Sequence, residues 1–570
     1  MSFIWEKMTR RKPLSAYMME AENNQLHANY GLWSLLGVGI GGTVGSGIFV
    51  LSGQVSAQYA GPATFISWLI GGIVCLVTAA SYAELSGRLL ASGSTFSFAY
   101  HGCGECLAVL GAWFLTLEYG MSGAAVSRSW GDKMAFWFAV NQWADCSGPM
   151  DSGVYNSTAD VSCWVNGSNT GSVFNPAALV ISVLCLLLLL GGVELGRQVV
   201  DVLVVLKVTL VLFVIIVGFI NCDPANFTPL VPGPGEGNPD FVGGFNGILL
   251  GATLAFFGFI GFDEVTCMTA EAVRPKIDVP RALFGTIITI SVLYMIASVS
   301  LVGMLPYYQI DVDEGFGSAF IQTENWWAMQ VVMIGQILFV LPAVVLVSYL
   351  PQSRMQYSMA LSGMLPPIFK KVNSKGTIFW GTLITGVFMT IIAAVVPFKN
   401  LNDLISGGIL LSFILTNTSL VNIRSDQKAT WHQAVYVLLM GIATCALNKI
   451  GDQATSFGIG LSCLGLGLVV LAYMYFQFTF SNYSTETFVT PLVPIVPGIA
   501  IFANFYLFWQ LSWLGIAQSA GMLLIALVTY FIWGFTHAGD FAVIDGIAGP
   551  ETSRYSPQAK HDAACKVDVL

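Results

Sequence analysis

The chain has 570 residues, 55% of them hydrophobic and only 10% charged, with a mean hydropathy of +0.72 and a formal net charge of -9. That balance excludes an ordinary soluble protein and points to an all-α polytopic membrane protein. No basic patch suggests a nucleic-acid partner. Five scattered histidines (His27, His101, His432, His537 and His561) form no ligand pair and no nucleophile–base cluster recurs, so no metal, cofactor or enzyme activity is expected.

Residues 1–30 are polar and mixed in charge and resemble no cleavable signal, so the first span is expected to direct insertion. With about 20 apolar residues per span, the sequence reads as fourteen helices. Their expected limits are 31–52, 62–85, 106–126, 175–192, 199–220, 244–271, 283–305, 327–350, 378–397, 403–423, 431–449, 457–480, 489–510 and 513–535, with cytoplasmic tails at 1–30 and 536–570.

The first span contains GVGIGGTVGSGIFV at 37–50, with Gly37, Gly39, Gly41, Gly42 and Gly45 ahead of Ser46-Gly47. Each glycine costs about 1 kcal/mol against alanine in a helix, and loosened backbone has no water to turn to in hydrocarbon. The segment makes sense if the helix breaks where it lines a cavity. Free N–H groups at one half-helix would then suit a carboxylate, and free carbonyls at the other would suit an ammonium or a metal cation. The alternative is a close-packing face of small residues.

Glu118 falls inside the third span. The loop at 127–174 carries sequons at Asn156 and Asn166, and Cys146 and Cys163, which could pair in an oxidising compartment. Another sequon, Asn226, lies in the next external loop, whereas Asn417 (in a span) and Asn482 (cytoplasmic) are expected to be silent. Cys103 and Cys106 have CxxC spacing without a thioredoxin-like context, so no redox role is expected.

Lys207 sits near the middle of the fifth span, and Asp263 and Glu264 follow FFGFIGF (256–262) in the sixth. Intramembrane charges are functional by default because they are costly unless paired or wetted, the alternative being a structural ion pair or a snorkelling side chain. A lysine out of water can exchange its proton near neutral pH, which would let it couple to protonation. The aromatic and glycine run again suggests a break, with bulky side chains for a lid. Two broken helices, five spans apart and oppositely oriented, predict inverted repeats at 31–220 and 244–423, a ten-helix core over 31–423, and four added helices over 431–535.

Lysine and arginine set the orientation. Only Arg128, Lys133, Lys399 and Lys449 fall in expected external loops and Lys207 within a span. The rest of the 23 are cytoplasmic, with both termini inside.

Gly45-Ser46-Gly47-Ile48-Phe49 resembles the first-helix signature of the amino acid–polyamine–organocation (APC) superfamily, and specifically its cationic amino acid transporter subfamily. Ser81–Leu85, FIGFDEVTCMTAEAVRPKIDVPRAL (259–283), SRMQYSMALSGMLPPIFKKVN (353–373), LNDLISGGILLSFILTN (401–417) and PLVPIVPGIAIFANFYLFWQL (491–511) resemble later stretches of the same subfamily. The resemblance implies a LeuT-like 5+5 inverted-repeat core with four additional helices. It implies that a substrate carboxylate meets Gly45, Ser46 and Gly47, and that its amine meets carbonyls near Thr43, Phe257 and Ile260. Phe257 would be the gate, and Ser122, Gly123 and Ser127 would line the side-chain pocket. Lys207 matches a fifth-helix lysine that, in proton-driven relatives, stands where sodium-driven carriers bind a cation.

Two departures bear on substrate. VLPAVVLVSYLP (340–351) is apolar where members for basic substrates place Ser or Thr, and Glu118 is acidic where animal members often have Ser. The expectation is therefore a transporter of L-amino acids, arginine or lysine ahead of neutral ones, with a proton as candidate co-substrate. The alternative is an amino acid sensor. The bilayer is its setting, no heavy-chain partner is expected, and the plasma membrane is the expected location, with the vacuole or lysosome as alternative. If Gly47 only admits substrate, Gly47→Leu should abolish binding and leave expression near normal.

Overall fold

The computed structural model describes residues 2–22, 26, 29–45, 47–143, 146–148, 150–151, 154–155, 161–168, 173–191, 193–312, 314–373, 377–449, 454–481 and 487–538. Ser46, Asn156, Asn482, His27 and His561 lie outside these residues.

Ten helices among the described residues are long and apolar enough to cross a membrane: Gly47–Leu89, Glu105–Val140, Gln198–Ile220, Gly244–Cys267, Pro275–Met304, Trp326–Leu361, Leu404–Arg424, Thr430–Asn448, Ser456–Gln477 and Trp513–His537. Four shorter apolar helices are Leu32–Thr43, Pro176–Leu190, Phe379–Val395 and Ile495–Phe508. Together they fall on the stretches read as spans, and ordinal names below follow those stretches. Large apolar side chains such as Val205, Ile220, Phe476 and Ile532 are exposed along them, a surface that only lipid would cover. The one strand pair among the described residues is short, Met150–Asp151 against Val154–Tyr155.

Helix ends are set by local chemistry. Asn175 caps the fourth helix by accepting from the Ala178 N–H at 2.9 Å, ahead of Pro176 in the first turn. Ser512 caps the last helix in the same way, accepting from Gly515 at 3.1 Å. Between the first and second spans the helical run turns at Gly61, whose φ of 57° favours glycine, followed by Pro62.

The structure corrects several expected limits. The third helix continues to Val140, well past residue 126. Arg128 and Lys133 are therefore helical and buried rather than loop residues. Arg128 donates to the Val173 and Ala394 carbonyls at 2.6 and 3.2 Å, and Lys133 pairs with Glu314 at 2.7 Å. A charge that finds such partners is tolerated inside a helix end. Likewise the eighth helix runs to Leu361 and carries Arg354.

The main core gathers the first ten spans together with Leu507 and Phe508 of the thirteenth helix and Tyr530 at the end of the last. A smaller apolar cluster joins the eleventh to thirteenth helices through Tyr436, Met440, Leu471, Met474 and Ile501, with Ile414 of the tenth. At the expected cytoplasmic side, Lys12 of the N-terminal segment is buried between Glu20 (2.5 Å) and the Ser362 hydroxyl (3.1 Å). Burial pulls its ammonium below the usual lysine range, and Glu20 opposes that shift.

Candidate functional site

The first helix, Leu32–Thr43, stops with Val44 in extended backbone (ψ 100°), and helical backbone resumes at Gly47. The sixth helix, Gly244–Phe256, tightens to a 3-10 turn over Phe257–Phe259. It then leaves helical geometry at Ile260 and Gly261 and restarts at Glu264. Both glycine-rich stretches are thus broken.

The two breaks cross in contact. A Cβ on Gly47 would lie 2.8 Å from the Gly258 Cα, and one on Gly261 would lie 2.9 Å from the Gly42 carbonyl carbon. Gly261 also has a φ of 106°, which favours glycine. This overturns the expectation that leucine at 47 would spare the fold, because the atom it meets is backbone of the other broken helix and cannot rotate away.

A helix that stops leaves its last carbonyls without partners. Here Lys207 of the fifth span, fully buried, donates from Nζ to the carbonyls of Gly41 (2.8 Å) and Val44 (2.7 Å). Its charge sits at the negative end of the half-helix. Tyr294 of the seventh helix adds a hydrogen bond from its hydroxyl to the Thr43 carbonyl at 3.0 Å. Trp68 backs that tyrosine at 4.7 Å between ring centroids and also meets Phe259 edge-on at 5.8 Å. Thr43 turns its own hydroxyl to the Gly39 carbonyl at 2.7 Å.

Phe257 and Ile260 are both buried beside this crossing, 9% and 8% exposed, so the aromatic side chain covers the break rather than standing open. On the third helix, Gly123 faces the eighth. A Cβ there would lie 3.0 Å from the Ser348 Cβ, and one on Gly45 would lie 2.8 Å from Val344. The Ser127 hydroxyl donates to the Gly123 carbonyl (2.9 Å) and that of Ser122 to Tyr119 (3.3 Å), so both hydrogen-bond within their own helix.

Glu118 sits on a π turn, Leu117–Met121, and is fully buried. Tyr119, the next residue, donates its hydroxyl to Asp263 Oδ2 at 2.7 Å. Among the described residues, both Glu118 oxygens, Asp263 Oδ1 and Glu264 Oε2 accept from no donor. Glu264 lies against Gly42, where any Cβ would overlap its carboxylate, and its charge interacts with Lys207.

Contacts flank the crossing on either side. Toward the N-terminal segment, the Asn29 and Tyr30 N–H groups donate to the Glu271 carbonyl, both at 3.0 Å, and the Glu271 carboxylate pairs with Arg354 at 2.5 and 3.0 Å. Toward the other end, Phe49 packs edge-on against Phe316, 6.2 Å between centroids.

The remaining candidate positions lie away from the crossing. Cys146 and Cys163 are joined within the loop that follows the third helix, and Cys103 and Cys106 are free thiols. The Asn166 and Asn226 side chains donate to Asp132 (3.2 Å) and to the Gly303 carbonyl (2.8 Å). Tyr119, Tyr294, Trp68, Val344 and Ser348 complete the surroundings and were not read from the sequence. Tyr119 alone had a local signal, as the neighbour of an intramembrane glutamate.

Residues 30–451 match the family model described as amino acid permease, and residues 488–538 match that for the C-terminus of these permeases. The chain belongs to the amino acid permease family. Permeases of this family are integral membrane transporters and not enzymes, so the chain is a multi-pass membrane protein. It is similar to a methylthioribose transporter of Bacillus subtilis, 30% identical over 73% of this chain and 85% of the relative. It is also similar to a branched-chain amino acid permease of the same organism, 27% identical over 90% and 94%. Cationic amino acid transporter 4 of Homo sapiens is 26% identical over 94% of this permease and 91% of its own length, which bears out the likeness to that APC subfamily. The first family match ends past the tenth helix, taking in the helix Thr430–Asn448 as well.

Proposed function

We propose that this permease moves L-amino acids across its membrane by alternating access around the crossing of the first and sixth helices. The observation that carries this reading is the pair of breaks in backbone contact at Gly47–Gly258 and Gly42–Gly261, with one set of freed carbonyls held by Lys207. Such a crossing offers an amino acid both of the groups it needs. N–H groups at Gly45, Ser46 and Gly47 would take the carboxylate, and carbonyls near Thr43, Phe257 and Ile260 the amine. Phe257 would act as gate. The relation between the two breaks supports a LeuT-like core of two inverted repeats, and the four added helices make fourteen spans.

Two further features favour particular forms of this transport. Lys207 occupies a cation's place at the first-helix carbonyls, which supports transport without sodium. Glu118 and Asp263 are two fully buried carboxyl groups inside the spans, linked through Tyr119, which follows Glu118 and hydrogen-bonds to Asp263, and buried carboxyl groups at membrane depth suit a proton relay. That supports proton coupling. Because Gly123, Ser127, Val344 and Ser348 are uncharged, the pocket favours a neutral side chain over arginine or lysine.

The test is uptake of labelled alanine, leucine, arginine and lysine into proteoliposomes, with and without an inside-alkaline pH gradient. We expect alanine or leucine to accumulate, faster with the gradient and without sodium. Binding without accumulation would overturn transport in favour of a sensor, and accumulation of arginine and lysine alone would overturn the neutral pocket.

A further inference from the structure

A cavity of about 430 Å³ lies between the third, eighth, ninth and last helices, apart from the crossing described above. Its volume is that of a small-molecule site, for which the usual range is about 300–1,000 Å³. Flat aromatic side chains form much of its wall: Trp113, Phe369, Phe388, Tyr530 and Trp533. Phe388 and Ile532 are 51% and 71% exposed on helices that face lipid, so the cavity is bordered on its outer side by the bilayer.

Its inner wall is different. Gln352, only 1% exposed, lines the cavity, and its Oε1 has no hydrogen-bond partner while Nε2 donates to the Thr116 hydroxyl at 3.2 Å. An unpartnered buried amide atom costs about 1–3 kcal/mol, so a partner supplied by a ligand is worth that much. A hydroxyl group, as both donor and acceptor, satisfies the amide in either orientation. Among the described residues no lysine or arginine lines the cavity, which gives a phosphate headgroup no counter-charge there.

We propose that this cavity binds a sterol-class lipid, a flat fused-ring alcohol that enters from the bilayer with its hydroxyl on Gln352 and its rings between the aromatic walls. The bound lipid braces the transport machinery from behind. Gly120 and Met121 on the cavity wall adjoin Glu118 and Ser122 in the chain, and Met389, also on the wall, packs against Gly123. The inference does not depend on which amino acid is carried.

The test is photolabelling of the full-length permease in nanodiscs with a photoreactive cholesterol analogue, competed by cholesterol, by cholestane (the same rings without the hydroxyl) or by dioleoylglycerol. We expect saturable labelling that cholesterol competes and the other two do not. Gln352→Leu should weaken cholesterol competition about tenfold. Ile384→Trp, a rim change that fills the mouth without touching the buried glutamine, should abolish labelling. Labelling that does not saturate, that survives Ile384→Trp, or that cholestane or dioleoylglycerol competes as well as cholesterol overturns the proposal.

Discussion

Lys207→Met removes the ammonium that holds the first break while keeping a stem of similar length. Two hydrogen bonds are lost, at 2.8 and 2.7 Å, and the Gly41 and Val44 carbonyls are left buried without their donor. Each stranded group costs about 1–3 kcal/mol, so the change should destabilise the permease by about 2–6 kcal/mol. Glu264 loses its neighbouring cation as well. Because the break loosens where substrate is proposed to bind, amino acid affinity should fall more than tenfold, about 1.4 kcal/mol or more. Thermal unfolding of the purified protein with and without leucine reads both effects at once. A Lys207→Met protein with wild-type melting temperature and wild-type ligand-induced stabilisation would refute the reasoning.

Glu118→Gln should leave the relative competition by Arg, Lys, Ala and Leu unchanged while altering the pH dependence of uptake. A selective loss of Arg and Lys, worth about 3–5 kcal/mol for a broken buried pair, would assign the carboxylate to substrate instead. Gly261→Ala, strained at φ 106° and only 2.9 Å from the Gly42 carbonyl carbon, should unfold the crossing. Gly521→Ala meets nothing within 4 Å and should be neutral or slightly stabilising in the same thermal assay. Glu271→Gln breaks the pair with Arg354, each side chain 4% exposed, and should cost about 3–5 kcal/mol by thermal unfolding. For orientation, glycosylation mapping should find Asn166 and Asn226 on one side of the membrane and Asn482 on the other. Finding all three on the same side would break the fourteen-span topology.

Both breaks were legible because glycine is costly in a buried helix, so its concentration at 37–47 and again at 258–261 marks a need for close backbone approach. What that approach was to could not be read, since the contacts of Gly47 with Gly258 and Gly42 with Gly261 join residues more than 200 positions apart. The intramembrane charges were legible as costly, but their partners were not. Lys207 serves backbone carbonyls, which leave no mark in sequence, and both Glu118 oxygens accept from no donor among the described residues. Helix ends failed where charges turn inward. Arg128 and Lys133 read as loop residues, yet Val173, Ala394 and Glu314 satisfy them within a longer third helix. Ser348 was passed over inside an apolar run, although it is the eighth-helix residue that meets Gly123.

The most direct measurement is a structure of the permease with bound L-leucine. The leucine is expected at the crossing, with its carboxylate on the N–H groups of Gly45–Gly47, its amine between the Thr43 and Ile260 carbonyls, and Phe257 against it. Leucine bound elsewhere, with the crossing still filled by its own backbone, would contradict that placement.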